Sequence, residues 1–145
     1  MRLGKLTEEE LKGFLSNKNV FNKEVLVSSR IGEDCSLLKT EDFIAITTDP
    51  ITITQADIGF KAITVCVNDL ASAGAVPFAA TVTLLAPPDC SVEKLKSVND
   101  DIAREAAALR IDVVGGHTEF TDAVNRIVVS ITMLGRTEKF FSACS

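Results

Sequence analysis

Four side chains suited to phosphate chemistry stand next to apolar stretches of this 145-residue chain. They are Asp34 after a glycine, Asp49 after an apolar run, Asp69 in a helical pattern, and His117 after Gly115–Gly116. Carboxylates that converge without basic partners repel one another and are natural ligands of Mg²⁺, which in turn binds phosphate oxygens. A magnesium–nucleotide site is therefore the simplest chemical hypothesis, although each acid taken alone is more typical of a turn or a cap.

The stretch Val113–Glu119 is predicted to be a strand that breaks into a loop at Gly115 and Gly116. Two glycines let the backbone turn sharply and approach a ligand closely. The residues that follow them supply an imidazole, a hydroxyl and a carboxylate, and His117 is the only histidine in the sequence. An ordinary turn remains the alternative interpretation of this stretch.

Composition limits the classes of protein that fit. A chain with 46% hydrophobic residues can bury one core of good size, so we expect a single domain. The net charge of −5 and the lack of a basic cluster argue against a nucleic acid or an anionic membrane as partner and favour a small molecule or a protein. No apolar run is long enough to span a bilayer and no secretory signal is evident, so a cytoplasmic location with reduced, scattered cysteines is expected.

Periodicity and capping residues divide the chain into helices and strands. A capping box of Thr7 and Glu10 starts a helix that ends near Ser16, and Ser91 caps another. Residues 58–73 favour a strand by propensity, but their apolar side chains recur at helical spacing, so a helix is predicted. Strands are predicted at 36–39, 43–48, 78–85 and 127–134, with 36–39 and 43–48 joined as a hairpin, whereas residues 25–28 are expected to be short and extended at most.

This order of elements predicts an α+β fold, a two-layer sandwich with helices on one face of a mixed sheet. Alternation places Phe78, Ala80, Val82 and Leu84 towards the helices. The opposite, outer face then carries Ala79, Thr81, Thr83 and Leu85, together with one alternate set from the last strand. Because no charge interrupts this outer face, we expect two sheets to pack together in a homodimer. A tolerated, solvated face rich in Thr and Ala is the alternative.

Five motifs in order carry a resemblance to a known family: 32–36 (GEDCS), 47–49 (TTD), 57–62 (DIGFKA), 67–77 (VNDLASAGAVP) and 115–118 (GGHT). They resemble the N-terminal, PurM-like domain of the aminoimidazole ribonucleotide (AIR) synthase superfamily. That superfamily also includes the hydrogenase maturation protein HypE, formylglycinamidine ribonucleotide synthase, thiamine monophosphate kinase and selenophosphate synthetase. The resemblance covers nearly the whole chain from residue 32 to residue 135.

The resemblance implies an ATP-dependent enzyme whose N-terminal domains pair through their sheets into a barrel. It assigns Asp34, Asp49 and Asp69 to Mg²⁺ or the ATP phosphates, and Lys61 to a phosphate. The remaining expected ATP-site residues are Thr48, Asn68, Gly115, Gly116, His117 and Thr118. Many members have aspartate where this chain has His117, and imidazole suits softer metals than Mg²⁺. We therefore expect His117 to hydrogen-bond phosphate or substrate, or to be a loop residue, with Glu119 as the substitute metal ligand.

Members of the superfamily carry a second domain beyond the point where this sequence stops. We therefore expect residues 1–145 to be one AIR-synthase-like, ATP-binding domain with a helical extension at about 1–30. Its expected partners are a C-terminal domain or a separate subunit, and a small-molecule substrate. This chain alone is therefore not expected to catalyse the reaction. The alternative is a non-catalytic dimerisation or regulatory module; a small metal-dependent hydrolase is disfavoured because one histidine cannot build the usual multi-imidazole site.

Overall fold

The computed structural model describes residues 3–31, 35–52, 56–139 and 141. Within them the elements are β1 (Gly4–Lys5), α1 (Glu8–Leu15), β2 (Val25–Val27), β3 (Leu37–Leu38), β4 (Phe43–Ile51), α2 (Ile58–Ser72), β5 (Val76–Ala86), α3 (Val92–Ala108), β6 (Asp112–Phe120) and β7 (Val128–Thr137). Five strands form one sheet in the order β1-β6-β5-β7-β4, and β2 pairs with β3 in a small second sheet.

The large sheet is mixed, as predicted. Strands β5 and β6 are parallel and are joined through α3, whereas β7 runs antiparallel to both of its neighbours, β5 and β4. The helices α2 and α3 bury their apolar residues with one face of the sheet in a common core. The predicted α+β sandwich with helices on one face is therefore confirmed.

The predicted helix starts are confirmed by their capping geometry. The hydroxyl of Thr7 accepts a hydrogen bond from the backbone N–H of Glu10 at 3.3 Å, and the Glu10 carboxylate accepts one from the Thr7 N–H at 2.7 Å. The Ser91 hydroxyl accepts from the N–H of Lys94 at 3.2 Å at the start of α3. Each cap satisfies donors that the first turn of a helix leaves unpaired.

Helix α2 forms although several of its residues favour strands. Its buried residues include Ile58, Ala62, Cys66 and Leu70, which follow one another at four-residue spacing and face the core. Burial of this stripe outweighs the smaller local preference for an extended backbone. The helix ends before Gly74, whose φ of 75° lies in the left-handed region that favours glycine.

Strand β4 is longer than predicted and pairs differently. It continues through Asp49 and Pro50 to Ile51, so Asp49 lies within the strand rather than after it. The predicted hairpin between 36–39 and 43–48 is wrong, because β3 pairs with β2 while β4 pairs with β7 over nine residues. Pro50 is tolerated because β4 is an edge strand of the described sheet, where a missing backbone N–H leaves no partner unpaired.

The predicted loop after Gly115 and Gly116 is also wrong, since both glycines lie inside β6. The pairing of β5 with β6 shifts register between Ala80 and Thr81, and Gly116 then approaches β5 very closely. A Cβ atom built on Gly116, where φ is 154°, would lie 1.9 Å from the carbonyl oxygen of Val82. The glycines therefore serve close contact between strands, a known role of glycine within sheets.

The outer face of the sheet mostly follows the predicted alternation. Val129, Ile131 and Met133 are buried in the core with the helices, so the alternate residues of β7 lie on the outer face. Phe78 is an exception, because β5 pairs irregularly with β7 between residues 77 and 79, and Phe78 packs instead with Ala79 in a second cluster. No helix of the described residues is long and apolar enough to cross a membrane.

Candidate functional site

Asp49 of β4 and Asp69 of α2 lie together on the helix-covered side of the sheet. Asp49 pairs in register with Ile131, a fully buried core residue, so its side chain is on the core side. The Asp69 carboxylate accepts a hydrogen bond of 2.9 Å from the hydroxyl of Thr47, two residues before Asp49. The two predicted metal-ligating carboxylates therefore meet at the edge strand, where Asp69 is exposed to solvent.

The electrostatics of this pair favour a bound cation. The pKa of Asp49 is raised by partial burial, and then by hydrogen bonding and charge repulsion with Asp69. The thiol of Cys66 lies 3.9 Å from the Asp49 carboxylate, and burial followed by the Asp49 charge raises the pKa of Cys66 to about 11. A thiol with such a pKa stays protonated at neutral pH, so Cys66 donates to the carboxylate and is no nucleophile. Two carboxylates facing one another with the neutral donors Thr47 and Cys66 beside them fit a hard divalent cation.

The structure places Thr47, which the sequence analysis did not choose, beside the carboxylate pair, and the predicted residue Thr48 on the outer face. Thr47 faces Asp69, whereas the Thr48 hydroxyl accepts a hydrogen bond from Thr132 at 3.0 Å on the outer face. Strand alternation contains the signal that was overlooked, because residues two apart share a face while neighbours do not. Thr47 therefore belongs with the two carboxylates and Thr48 does not.

His117 lies on the other side of the sheet from the carboxylate pair. His117 pairs with Thr83, Thr83 with Ser130, and Ser130 with Pro50, so His117 shares the outer face with Pro50. Asp49 instead pairs with the buried Ile131 and faces the core. Three strand spacings of about 4.8 Å also separate β6 from β4, roughly 14 Å in all. Within one chain, His117 and Asp49 therefore do not meet in one cluster of side chains. Glu119, proposed as a substitute ligand, instead lies 3.1 Å from His117, between Nε2 and Oε2.

The other predicted site residues are distributed as follows. Asp34 lies outside the described residues, and among those that are described no group of three or more His, Cys, Asp or Glu side chains is arranged to hold a metal ion. Asn68 is exposed beside Asp69 on α2. The ammonium of Lys61 donates to the carbonyl oxygen of Ala56 at 2.8 Å, at the start of the same helix. Asp49 and Asp69 are thus the two predicted acidic residues that the described part of the chain brings together, and a divalent cation between them would need further oxygen donors from solvent, phosphate or other residues.

A pocket of about 470 Å³ lies along β6 and is lined by the remaining predicted residues. The pocket walls include Gly115, Gly116, His117 and Thr118 of β6, with α1 and residues 29, 30, 35, 36 and 38 supplying much of the rest. Of the described lining residues none is acidic, and Lys18 and Arg30 contribute positive charge. The pocket is therefore chemically distinct from the Asp49–Asp69 pair.

A buried carboxylate anchors the segment that covers this pocket. Asp112, which is fully buried at the start of β6, accepts hydrogen bonds from the backbone N–H groups of Phe21 and Asn22 at 2.5 and 2.9 Å. The Asn22 amide in turn donates to the carbonyl oxygens of Phe78 and Arg110 at 3.0 and 2.7 Å. Since a buried carboxylate without donors is costly, this network fixes the chain between α1 and β2 against the sheet.

Relatives and structural neighbours share this domain but are longer. The thiamine-monophosphate kinase of Bacillus subtilis (strain 168) is 31% identical over 83 residues, which are 57% of this chain and 25% of the relative. The putative hydrogenase expression/formation protein MJ0676 of Methanocaldococcus jannaschii is 30% identical over 93 residues, 64% of this chain and 28% of the relative. The matched segment thus spans about a quarter of the length of these curated relatives.

Solved structures show the same fold. The crystal structure of E. coli HypE aligns with a TM-score of 0.76 at 22% identity, covering 92% of this chain and 44% of HypE. A crystal structure of the hydrogenase maturation protein HypE in complex with ATP aligns with a TM-score of 0.74 at 21% identity, covering 92% of this chain and 41% of that one. The family "AIR synthase related protein, N-terminal domain" matches residues 32–137. On its sequence and on its fold, this chain belongs to the AIR synthase related family, through the N-terminal domain of that family.

Proposed function

We propose that this chain is the ATP-binding N-terminal half of an ATP-dependent enzyme and that Asp49 and Asp69 bind the Mg²⁺ that accompanies the nucleotide. The observation that carries this proposal is the meeting of the two carboxylates from β4 and α2, with the Thr47 hydroxyl bonded to Asp69. Mg²⁺ would neutralise both charges and offer its remaining coordination positions to phosphate oxygens and water. The reaction class is phosphoryl transfer or activation of an amide oxygen, in which positioning and charge neutralisation provide most of the catalysis.

Two further points support the nucleotide as the ligand. HypE, whose fold this chain shares, has been crystallised with ATP. The 41–44% of the HypE chain that this domain covers also leaves room for a second domain, which we propose completes the ATP and substrate sites. In our proposal that domain, joined to this chain or supplied as a separate subunit, supplies the groups that recognise a small-molecule substrate.

The outer face of the sheet supports a homodimer as part of this proposal. Ile46 is 65% exposed on this face, where it is aligned with Leu134 of β7. Thr81, Thr83 and Ser130 lie beside it and are only partly buried. Two such faces packed together would remove the exposed aliphatic surface from water without burying a row of charges. Sedimentation of the chain measures this directly, and a monomer at all accessible concentrations would contradict it.

Isothermal titration calorimetry with ATP and Mg²⁺ tests the nucleotide site, both on the chain alone and with the C-terminal half of a relative added. Asp49→Asn should weaken affinity by about tenfold or more, a loss of about 1.4 kcal/mol, because one metal ligand loses its charge. Asp122→Asn, which removes a charge from an exposed residue after β6, is the matched control and should leave affinity unchanged. Equal affinities for wild type and Asp49→Asn would refute the assigned site. A stable dimer without any ATP binding would instead favour the non-catalytic module.

A further inference from the structure

Helix α2 ends with the turn that carries Asp69, and the helix itself provides little to stabilise that turn. Its last turn contains no basic residue, and Asp69 adds a carboxylate near the end where unpaired carbonyl groups form the negative pole of a helix. The Asp69 carbonyl oxygen accepts hydrogen bonds from the Ser72 hydroxyl at 2.8 Å and from the Ala73 N–H at 3.3 Å. The position of Asp69 therefore depends on how firmly Ala73 is held.

Two residues that follow β7 contact this end of α2 from outside the helix. The backbone N–H of Phe141 donates to the Ala73 carbonyl oxygen at 3.0 Å. The Phe141 ring lies against Gly74, where a side-chain Cβ would overlap the ring. The Lys139 ammonium lies 5.3 Å from the centre of the same ring, which places a positive charge beside the negative end of α2. Phe141 and Lys139 thus supply the donor and the charge that the end of α2 lacks.

The contact is anchored on β7 and connects with the carboxylate pair. The hydroxyl of Thr137, the last residue of β7, donates to the Lys139 carbonyl oxygen at 2.8 Å and accepts from the Lys139 N–H at 3.1 Å. Two hydrogen bonds in series then lead from Phe141 to Ala73 and from Ala73 to Asp69. Since α2 has no further turn beyond Asp69, loss of the Phe141 contact would free the turn that presents the Asp69 carboxylate.

We propose that Phe141 is a positioning residue for the carboxylate pair, and that together with Lys139 it fixes the last turn of α2 so that Asp69 stays opposite Asp49. The inference rests on the proposed function, because it assumes that the pair binds a divalent cation. It extends that function by making the cation site depend on the C-terminal part of the chain. A second domain joined there, or a subunit bound there, would change the cation affinity by pulling Phe141 away from Gly74.

The first test uses NMR of the isotopically labelled chain without metal. Phe141→Ala should accelerate hydrogen exchange at the Ala73 amide about tenfold and weaken the nuclear Overhauser contact between the Thr47 and Asp69 side chains, because the ring no longer holds the end of α2. Phe141→Tyr keeps the ring and should behave as wild type. Phe43→Ala removes an exposed ring at the same end of the sheet, where Phe43 pairs with Thr137, and should leave both signals unchanged. Unchanged signals in Phe141→Ala would overturn the proposal.

The second test measures binding of Mn²⁺, a divalent cation that also takes oxygen ligands, from the electron paramagnetic resonance signal of the free ion. Phe141→Ala should weaken Mn²⁺ binding about threefold or more, whereas Phe141→Tyr and Phe43→Ala should keep the wild-type affinity. Wild-type affinity in Phe141→Ala, combined with weaker binding in Asp49→Asn, would refute the positioning role alone. If Asp49→Asn binds Mn²⁺ as tightly as wild type, the proposed cation site falls, and the metal-free NMR comparison decides whether Phe141 positions Asp69.

Discussion

The burial of Lys18 predicts an unusual dependence of stability on pH. In the folded chain its pKa is lowered from 10.5 to about 8, so between these values the unfolded chain binds a proton that the folded chain has released. Raising the pH through this range therefore favours the folded state. Without a bound anion, the free energy of unfolding should increase from pH 7 to pH 9. The Lys18→Met variant should lose this increase and should be more stable than wild type at pH 7.

The structure sets the size of the effect. The difference between 10.5 and about 8, at 1.36 kcal/mol for each pH unit, gives an upper limit of about 3 kcal/mol at pH 7. Because Lys18 borders an open pocket and keeps part of its surface in water, we expect Lys18→Met to stabilise the chain by about 1–2 kcal/mol. The wild-type gain between pH 7 and pH 9 should be about 1 kcal/mol. Above pH 9 the Cys66 thiol opposes this gain, because its pKa is raised to about 11 and its deprotonation favours unfolding.

Urea denaturation followed by circular dichroism at several pH values is the appropriate assay, with phosphate-free buffers. The quantity to compare is the difference between wild type and Lys18→Met, since all other titrating groups cancel in it. Lys12→Met is the control and should follow the wild-type curve within about 0.5 kcal/mol, as expected of an exposed ion pair. A Lys18→Met variant less stable than wild type at pH 7, with the same dependence on pH, would refute the reasoning.

Three other substitutions test the fold and the carboxylate pair. Asp112→Ala should destabilise the chain by about 2–4 kcal/mol in urea denaturation, because it leaves the N–H groups of Phe21 and Asn22 without their acceptor; a loss below about 0.5 kcal/mol would contradict the anchoring role. Gly116→Ala should lower the thermal midpoint strongly, since its Cβ would overlap the β5 backbone, and an unchanged midpoint would show that β6 lies differently. Asp49→Asn should raise the thermal midpoint at neutral pH without metal, because the pKa of Asp49 is raised and its ionised form opposes folding. With added Mg²⁺, wild type should have the higher thermal midpoint of the two proteins. A lower midpoint for Asp49→Asn without metal would contradict the charge repulsion.

Local sequence signals predicted the helices well and the strand pairings poorly. The caps at Thr7 and Ser91 act through donors a few residues away, so they can be identified from the sequence. The position of β4 beside β7 depends on partners about 85 residues apart, and no short-range signal contains that information. The same limitation explains the incorrect hairpin of 36–39 with 43–48. It also explains why Gly115 and Gly116 predicted a turn, since only the neighbouring strand shows that they serve close packing.

The candidate site shows the same division between local and long-range information. The sequence predicted Asp49 and Asp69 as candidate ligands, and the tertiary structure brings them together because α2 packs beside β4. It separates His117 from them, because three strand spacings and a change of face intervene. Lys18 gave no signal in the sequence, where a lysine in a polar connector is ordinary. Only burial beside a cavity makes its charge significant.

By itself, the sequence determined the α+β class, the three helices and the family, because these depend on periodicity, capping residues and ordered motifs along the chain. The tertiary structure alone decided which face of the sheet each polar residue occupies. In a strand a shift of one residue reverses the face, and register is set by partners far away in the sequence. For that reason Thr47 rather than Thr48 accompanies Asp69, and His117 lines a separate pocket.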